Sequence, residues 1–158
     1  YKIDNAKSIE IKSTYANQYA AAGEKTLIDN LRGGKNYRTG NWQGYRENLI
    51  AIINLGENKE ISNINLGCIQ DIKSWIFFPK KVSYYSSSNA KDFTFLGEIN
   101  TIFSDSLEGS FINNYSMNIS NTKAQYIKVV AENYGFCPKW HVGAGGKAWL
   151  FADEIEIK

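Results

Sequence analysis

One histidine, His141, and two cysteines, Cys68 and Cys137, are all that this 158-residue chain offers of the side chains that dominate nucleophilic and transition-metal chemistry. Neither cysteine stands in a CxxC or Cys/His spacing, which argues against a zinc site. No GxSxG elbow precedes the histidine, and no recognisable partner orients either thiol, so the sequence carries no machinery for covalent catalysis. Long hydrophobic runs are missing too. None approaches the ~20 residues needed to span a bilayer, so a membrane partner is not expected. Charge of one sign is also lacking: 18 basic and 16 acidic residues are interspersed, with a net charge of +2. That balance gives no reason to expect nucleic acid. Helix-periodic stretches are nearly absent, and no internal repeat is found.

What is there is a chain long enough for one domain, 1–158, with 43% hydrophobic and 14% aromatic residues to build its core. It opens on Tyr1, without an initiator methionine or a signal-type segment, and reads as a module cut from a longer protein. Cys68 falls in a strand-like run and Cys137 in a Gly/Pro-flanked loop. They could pair in an oxidising compartment or remain buried free thiols, and sequence alone does not decide.

The stretch that organises the rest is LIDNLRGGKNYRTGNWQGY, 27–45. Gly33, Gly34, Gly40 and Gly44 relieve backbone strain, and its Asp, Asn and Thr offer oxygens to nearby backbone. Yet Leu27, Ile28, Leu31, Tyr37, Trp42 and Tyr45 are too apolar for a solvated linker. An ordered loop of ~19 residues without an element of its own is usually functional or held by something. A metal that also binds the last strand would hold it.

Around this loop the chain alternates as half-buried strands do. SIEIK (8–12) is the first such run, followed by a short helical turn or irregular crossing through Ala20–Ala22. LIAIINLG (49–56) reads as a buried strand, and EISNINLGCI (60–69) as its hairpin partner across the turn GENK. QDIKSWIFFPKK (70–81) is an aromatic loop. VSYYSSS (82–88) and FTFLGEI (93–99) are strands, and 104–109 a turn cluster. SFINNYSMNI (110–119) and AQYIKVVAEN (124–133) are two strands separated by SNTK. A second Gly-rich loop, YGFCPKWHVGAGG (134–146), leads to the closing strand KAWLFADEIEIK. About eight short strands joined by turn clusters define an antiparallel β-sandwich or jelly roll.

DNLRGGKNYRTGNWQGY, the strand ending NLG, EISNINLGCIQDIKSWIFFPKKVSYYSSSNAKDF, AQYIKVVAEN and ADEIEI, in this order, resemble a discoidin domain. This is the factor V/VIII C-type domain, whose sugar-binding members are the family 32 carbohydrate-binding modules. The resemblance runs over 26–158, with 1–25 as an N-terminal strand and lead-in, and is greatest to modules at the C-terminus of bacterial (Bacteroidetes) β-N-acetylhexosaminidases. It implies a jelly-roll sandwich of about eight main strands. Two departures stand out. Asp29-Asn30 replaces the usual Asp-Gly, with Thr39 and Trp42 displaced by an insertion, and the galactose-binding His, Arg and Asn have no clean match.

The resemblance implies a structural calcium, an ion that takes ~6–8 hard oxygens in irregular geometry. Asp29 and Glu154 would supply carboxylates, Thr39 a hydroxyl and a carbonyl, and Thr26, Leu31 and Asp153 carbonyls. A second constellation lies in the loops: Gln70, Asp71, Lys73, Ser74 and Trp75; Trp140, His141 and Lys147; and Tyr37, Arg38 and Trp42. A sugar needs an aromatic platform and a few fixed donors and acceptors. Trp75 or Trp140 would be the platform, with Gln70, Asp71, Ser74, His141, Arg38 and Lys147 around it, while Trp42 and Trp149 read as core. The loop acids Asp71, Asp105 and Glu108 show no opposed pair for glycoside cleavage.

The expectation is thus a non-catalytic module that tethers an attached glycoside hydrolase to galactose- or N-acetylhexosamine-containing glycans, outside the cell: secreted, periplasmic or at the cell surface. Two alternatives remain: an interdomain spacer that has lost its sugar site, and an adhesion or lipid-binding domain with Ile76, Phe77 and Phe78 as spikes beside Lys80 and Lys81.

Overall fold

The computed structural model describes residues 8–103 and 108–158. Asp105 and most of the turn cluster at 104–109 therefore lie outside the described residues. Among the described residues seven strands form: β1 (Ser8–Ile11), β2 (Gln43–Tyr45), β3 (Leu49–Asp71), β4 (Lys81–Ser87), β5 (Thr94–Asn100), β6 (Ser110–Ala131) and β7 (Leu150–Ile157). All their pairings are antiparallel. The fold is the expected all-β sandwich.

Two strands dominate, and here the structure corrects the sequence reading. LIAIINLG and EISNINLGCI do not form a hairpin with each other. They are the two halves of β3, 23 residues long, and both pair with β6, which likewise joins the two expected strands at 110–119 and 124–133. Register shifts between Asn54 and Lys59, and between Ile61 and Asn63, bend the pair where a turn was expected. Gly56 (φ +89°) and Asn121 (φ +53°) supply left-handed backbone on either strand at that bend.

The bend builds two layers from one continuous ladder. The first half of β3 pairs with β1 and with the second half of β6, which continues through β4 to β5. The second half of β3 pairs with the first half of β6 and with β7, which holds β2 at the edge. Between the layers lie Leu49, Ala51, Ile53, Leu55, Ile64, Leu66, Val82, Tyr84, Tyr115, Ile127, Val129 and Ile155, all buried. Their spacing by two along each strand is the alternation seen in the sequence. Two smaller apolar clusters lie apart from this core. Trp42, Ile69, Ile76 and Phe151 form one, and Phe77, Cys137 and Ala148 the other.

The stretch between β1 and β2 forms two turns of 3₁₀ helix, Asn17–Tyr19 and Gly23–Ile28, and then an irregular loop. Trp42 fixes that loop. Its indole N–H donates to the Gly34 carbonyl at 2.9 Å, and its ring lies so close to Gly33 that a Cβ there would stand 2.0 Å from Nε1. Trp42 is core, as read from the sequence. Cys68 and Cys137 are both free and buried, and burial pushes both thiols above their ordinary pKa.

Candidate functional site

Two neighbouring constructions stand out, one where the long loop meets β7 and one where the loops at 70–80 and 132–149 interlock. The first begins at a bulge. Leu66 pairs with Ile155 and Cys68 with Ala152, so the single residue Gly67 faces both Asp153 and Glu154. Both acids are consequently buried although they are adjacent in sequence. A Cβ at Gly67 would sit 2.1 Å from Asp153 Oδ1, so glycine is required for the bulge to close.

The loop is fastened to these acids. Arg32 donates from Nε to Asp153 Oδ2 at 2.8 Å, from a terminal nitrogen to Glu156 Oε1 at 2.7 Å, and from the other to Asn114 Oδ1 at 2.5 Å. Gly33 N–H also donates to Asp153 Oδ2, at 2.9 Å, and Asn30 N–H donates to Glu154 Oε2 at 3.0 Å. Partial burial of Arg32 opposes its charge, but its Asp153 hydrogen bond and the Asp153 and Glu156 charges raise its pKa above the usual guanidinium value. Sequence reading missed Arg32. The sign that pointed here was Gly67, a glycine inside a strand pattern, which marks a bulge or a close backbone approach.

The residues named for calcium lie along this seam. Thr26 and Glu154 are fully buried and Asp29 is half-buried, while Leu31 and Thr39 are exposed. The Thr39 hydroxyl donates to the Gly33 carbonyl at 3.0 Å, and Asp29 Oδ1 accepts from Leu31 N–H at 2.9 Å. Among the described residues no three His, Cys, Asp or Glu side chains converge on one point. A cation here would lean on carbonyls and hydroxyls around two carboxylates. All these donors are hard oxygens, so the set fits calcium chemistry.

In the second construction, the segment from Asp71 to Trp149 closes as a clamp. Asp71 and Ile76 exchange backbone hydrogen bonds, Trp149 N–H donates to the Trp75 carbonyl, and Phe77 N–H donates to the Trp149 carbonyl. Trp75 adopts φ +66° and lays its ring over Gly143 and Gly146, where a Cβ would come within 2.4 and 2.6 Å of it. His141 is buried, with Gly143 N–H donating to Nδ1 at 2.9 Å and Nε2 facing the Ile72 carbonyl at 2.5 Å. With Nδ1 turned to the Gly143 N–H, the Nε2 edge is the one that meets the Ile72 carbonyl. Gln70 is buried as well, and its Oε1 accepts from Phe78 N–H at 3.2 Å.

His141 and the Gln70 side-chain oxygen, read from sequence as groups for ligand hydroxyls, are thus engaged by the protein's own backbone. Asp71, Ser74 and Trp75 are half-buried, and Lys147 is exposed. Arg38 is also exposed, its Nε donating to Tyr37 Oη at 3.1 Å. Trp140 remains 49% exposed, on a loop that also presents Phe136 at 64% and Val142 at 90%. Ile76, Phe77 and Phe78 are buried, which overturns their reading as membrane-inserting spikes. No helix among the described residues is long and apolar enough to cross a membrane.

No protein-family model and no curated protein sequence matches the chain. Solved structures do. A fucolectin from striped bass (Morone saxatilis) serum superposes with a TM-score of 0.63 at 15% identity over 98% of this chain, which spans about half (47%) of that one. The C-terminal domain of a chitobiase from Bacteroides fragilis matches with a TM-score of 0.57 at 19% identity, covering 100% of this chain and 97% of that domain. A CBM32 module from Clostridium perfringens, in complex with GalNAc-β-1,3-galactose, matches with a TM-score of 0.62 at 16% identity, 99% of each chain being covered. The chain therefore has the discoidin-like fold of the family 32 carbohydrate-binding modules.

Proposed function

We propose that this chain is a non-catalytic glycan-binding module, tethering an attached glycoside hydrolase outside the cell to galactose- or N-acetylhexosamine-containing glycans. The observation that carries the reading is Trp140: half its surface is open to solvent, on a loop that His141 and Trp75 lock from beneath. A rigid, exposed indole suits the apolar face of a pyranose ring. The fold neighbours support the sugar class, since one was crystallised with a disaccharide and another is a fucolectin. A single weak contact, with Kd of about 0.1–1 mM, suffices for a tether because it acts by raising local substrate concentration.

A structural calcium belongs to this proposal. Asp29 and Glu154 would hold it with the Thr39 hydroxyl and carbonyls of Thr26, Leu31 and Asp153, and it would add hard-cation crosslinking between loop and last strand. Calorimetric titration with galactose, N-acetylglucosamine, N-acetylgalactosamine and N-acetyllactosamine, in calcium, tests the reading. Saturable heat with one of them, lost in Trp140→Ala, is expected; silence across the panel sinks it.

The exposure of Phe136, Trp140 and Val142 on one loop favours a second reading, a spacer that packs this loop on its catalytic neighbour. A module that self-associates alone, and stops when the neighbouring domain is added, would favour the spacer.

A further inference from the structure

Beside the Trp140 loop, a cleft of about 440 Å³ opens between the exit of β1 and the segments flanking β2 and β6. Its lining includes Lys12, Arg46, Asn48, Asn133, Phe136 and Lys147. A second cleft of about 320 Å³, reaching Tyr15, shares Arg46, Glu47 and Lys147 with it. The two together exceed one sugar ring and suit a short oligosaccharide.

The floor of the cleft is already satisfied. Asn133 Nδ2 donates to the Ala148 carbonyl at 3.2 Å, its Oδ1 accepts from Gly135 N–H at 2.7 Å, and its own N–H donates to Asn48 Oδ1 at 2.9 Å. Ser13 Oγ donates to the Asn48 carbonyl and accepts from Ile50 N–H. Glu47, the acid in the lining, accepts from Thr14 N–H at 2.8 Å, and Lys12 is ion-paired with Glu10. Among the described residues, neither Arg46 nor Lys147 forms an ion pair. Arg46 is parked over the Trp149 ring at 4.8 Å. Lys147 is fixed opposite Phe136 in an antiparallel bridge, reinforced by Cys137 N–H to the Gly146 carbonyl at 2.7 Å and Ala148 N–H to the Gly135 carbonyl at 2.8 Å. Opposed residues of an antiparallel pair project from the same face, and Phe136 and Lys147 both line the cleft.

With Lys12 paired to Glu10, the cleft therefore presents an exposed aromatic ring and two cations, Arg46 and Lys147, against the single carboxylate of Glu47, which leaves its lining net positive. A neutral sugar would match the ring but leave both charges unanswered. We infer that this cleft binds an acidic glycan, a pyranose carrying a carboxylate or a sulfate, with Phe136 under the ring and Arg46 and Lys147 on the anion. The inference rests on the reading of this chain as a glycan-binding module and adds to it an acidic subsite, with Phe136 rather than Trp140 under the ring. Arg46 presents a planar fork suited to either oxyanion, and its stacking on Trp149 limits the entropy lost on binding.

The test is titration of the whole module with trigalacturonate, its methyl ester, N-acetyllactosamine and sulfated N-acetyllactosamine, with sodium sulfate as control. Trigalacturonate or the sulfated disaccharide should bind about tenfold tighter than its uncharged counterpart, less so at high salt, and the arm that responds identifies carboxylate or sulfate. Lys147→Gln, whose side chain forms no ion pair among the described residues, should lose about two- to fivefold; Arg46→Gln with Lys147→Gln should fall to the level of the ester. A urea midpoint unchanged in Lys147→Gln keeps that loss attributable to charge. Equal binding of ester and acid overturns the inference, as does wild-type affinity in the double variant or equal affinity for free sulfate. If neutral sugars bind and acidic ones gain nothing, this inference falls while glycan binding stands. If no sugar gives heat, both fall.

Discussion

Arg32 reaches across 121 residues of chain to donate its Nε–H to Asp153 Oδ2 at 2.8 Å. The carboxylate is buried, whereas the guanidinium side chain is 39% exposed. This contact, with Gly33 N–H on the same oxygen, staples the irregular loop to the closing strand. Arg32→Ala leaves a buried carboxylate with one donor fewer and no cation. It should cost about 2–3 kcal/mol, below a fully buried pair because Arg32 is partly solvated. Arg32→Lys should recover less than half, since an ammonium cannot fork among Asp153, Glu156 and Asn114. Urea midpoints measure both. Faster trypsin cleavage at Lys35 or Arg38 would show that the loop has come loose.

Gly67→Ala is expected to destabilise more than its size suggests. The added methyl meets the Asp153 carboxylate and an Arg32 terminal nitrogen, at 2.1 and 2.5 Å, and neither is free to retreat without breaking the staple. Overpacking of this kind costs about 1–3 kcal/mol. A wild-type denaturation midpoint for Gly67→Ala would mean that the bulge is more plastic than its geometry implies.

Calcium, if it adds a crosslink at Asp29 and Glu154, should raise the melting temperature relative to chelator. At one hundred times its Kd the ion contributes about 2.7 kcal/mol. Glu154→Gln should abolish that increment while keeping an acceptor for Asn30 N–H. An increment that persists in Glu154→Gln would place the ion elsewhere, and none in the wild type would leave Arg32 as the cation that holds the loop.

Alkaline pH should unfold the module early. Burial pushes the Tyr45, Tyr84 and Tyr115 phenols well above their ordinary value near 10. The unfolded chain releases these protons above about pH 10, while the folded chain keeps them. Their stabilisation is therefore complete below that pH and is lost as pH rises toward the folded values. Each phenol steepens the loss by up to about 1.4 kcal/mol per pH unit. Urea midpoints from about pH 8 to pH 11 should fall, with phenolate absorbance appearing together with unfolding. A flat profile would show these rings reachable by solvent in the fold.

Much of the architecture was legible in the residues themselves. Alternation by two marks which side chains of LIAIINLG face inward, whereas the bulge at Gly67 buries adjacent residues of ADEIEI, and the scarcity of helical periodicity leaves a sandwich as the way to bury them. Trp42 as core and the stretch 27–45 as something held down follow from composition, because it is too apolar to be solvated; but it is not without elements of its own, since its first two residues end a 3₁₀ helix and its last three form β2. What only the tertiary structure decided is where the chain bends instead of turning, and who meets whom. GENK and SNTK look locally like hairpin turns, but a left-handed residue at a bend has the same signature as one in a turn. The long-range pairing of β3 with β6 chose between them. The loop polar residues illustrate the same limit. His141 and Gln70 carry the chemistry of a sugar site in sequence, yet backbone groups brought to them by the fold engage both ring nitrogens of the one and the side-chain oxygen of the other. Arg32 and Lys147 look alike as exposed cations until distance assigns one to Asp153 and places the other opposite Phe136. Local pattern states what a side chain can do; the ladder of strand pairings decides which groups come close enough for it to be done.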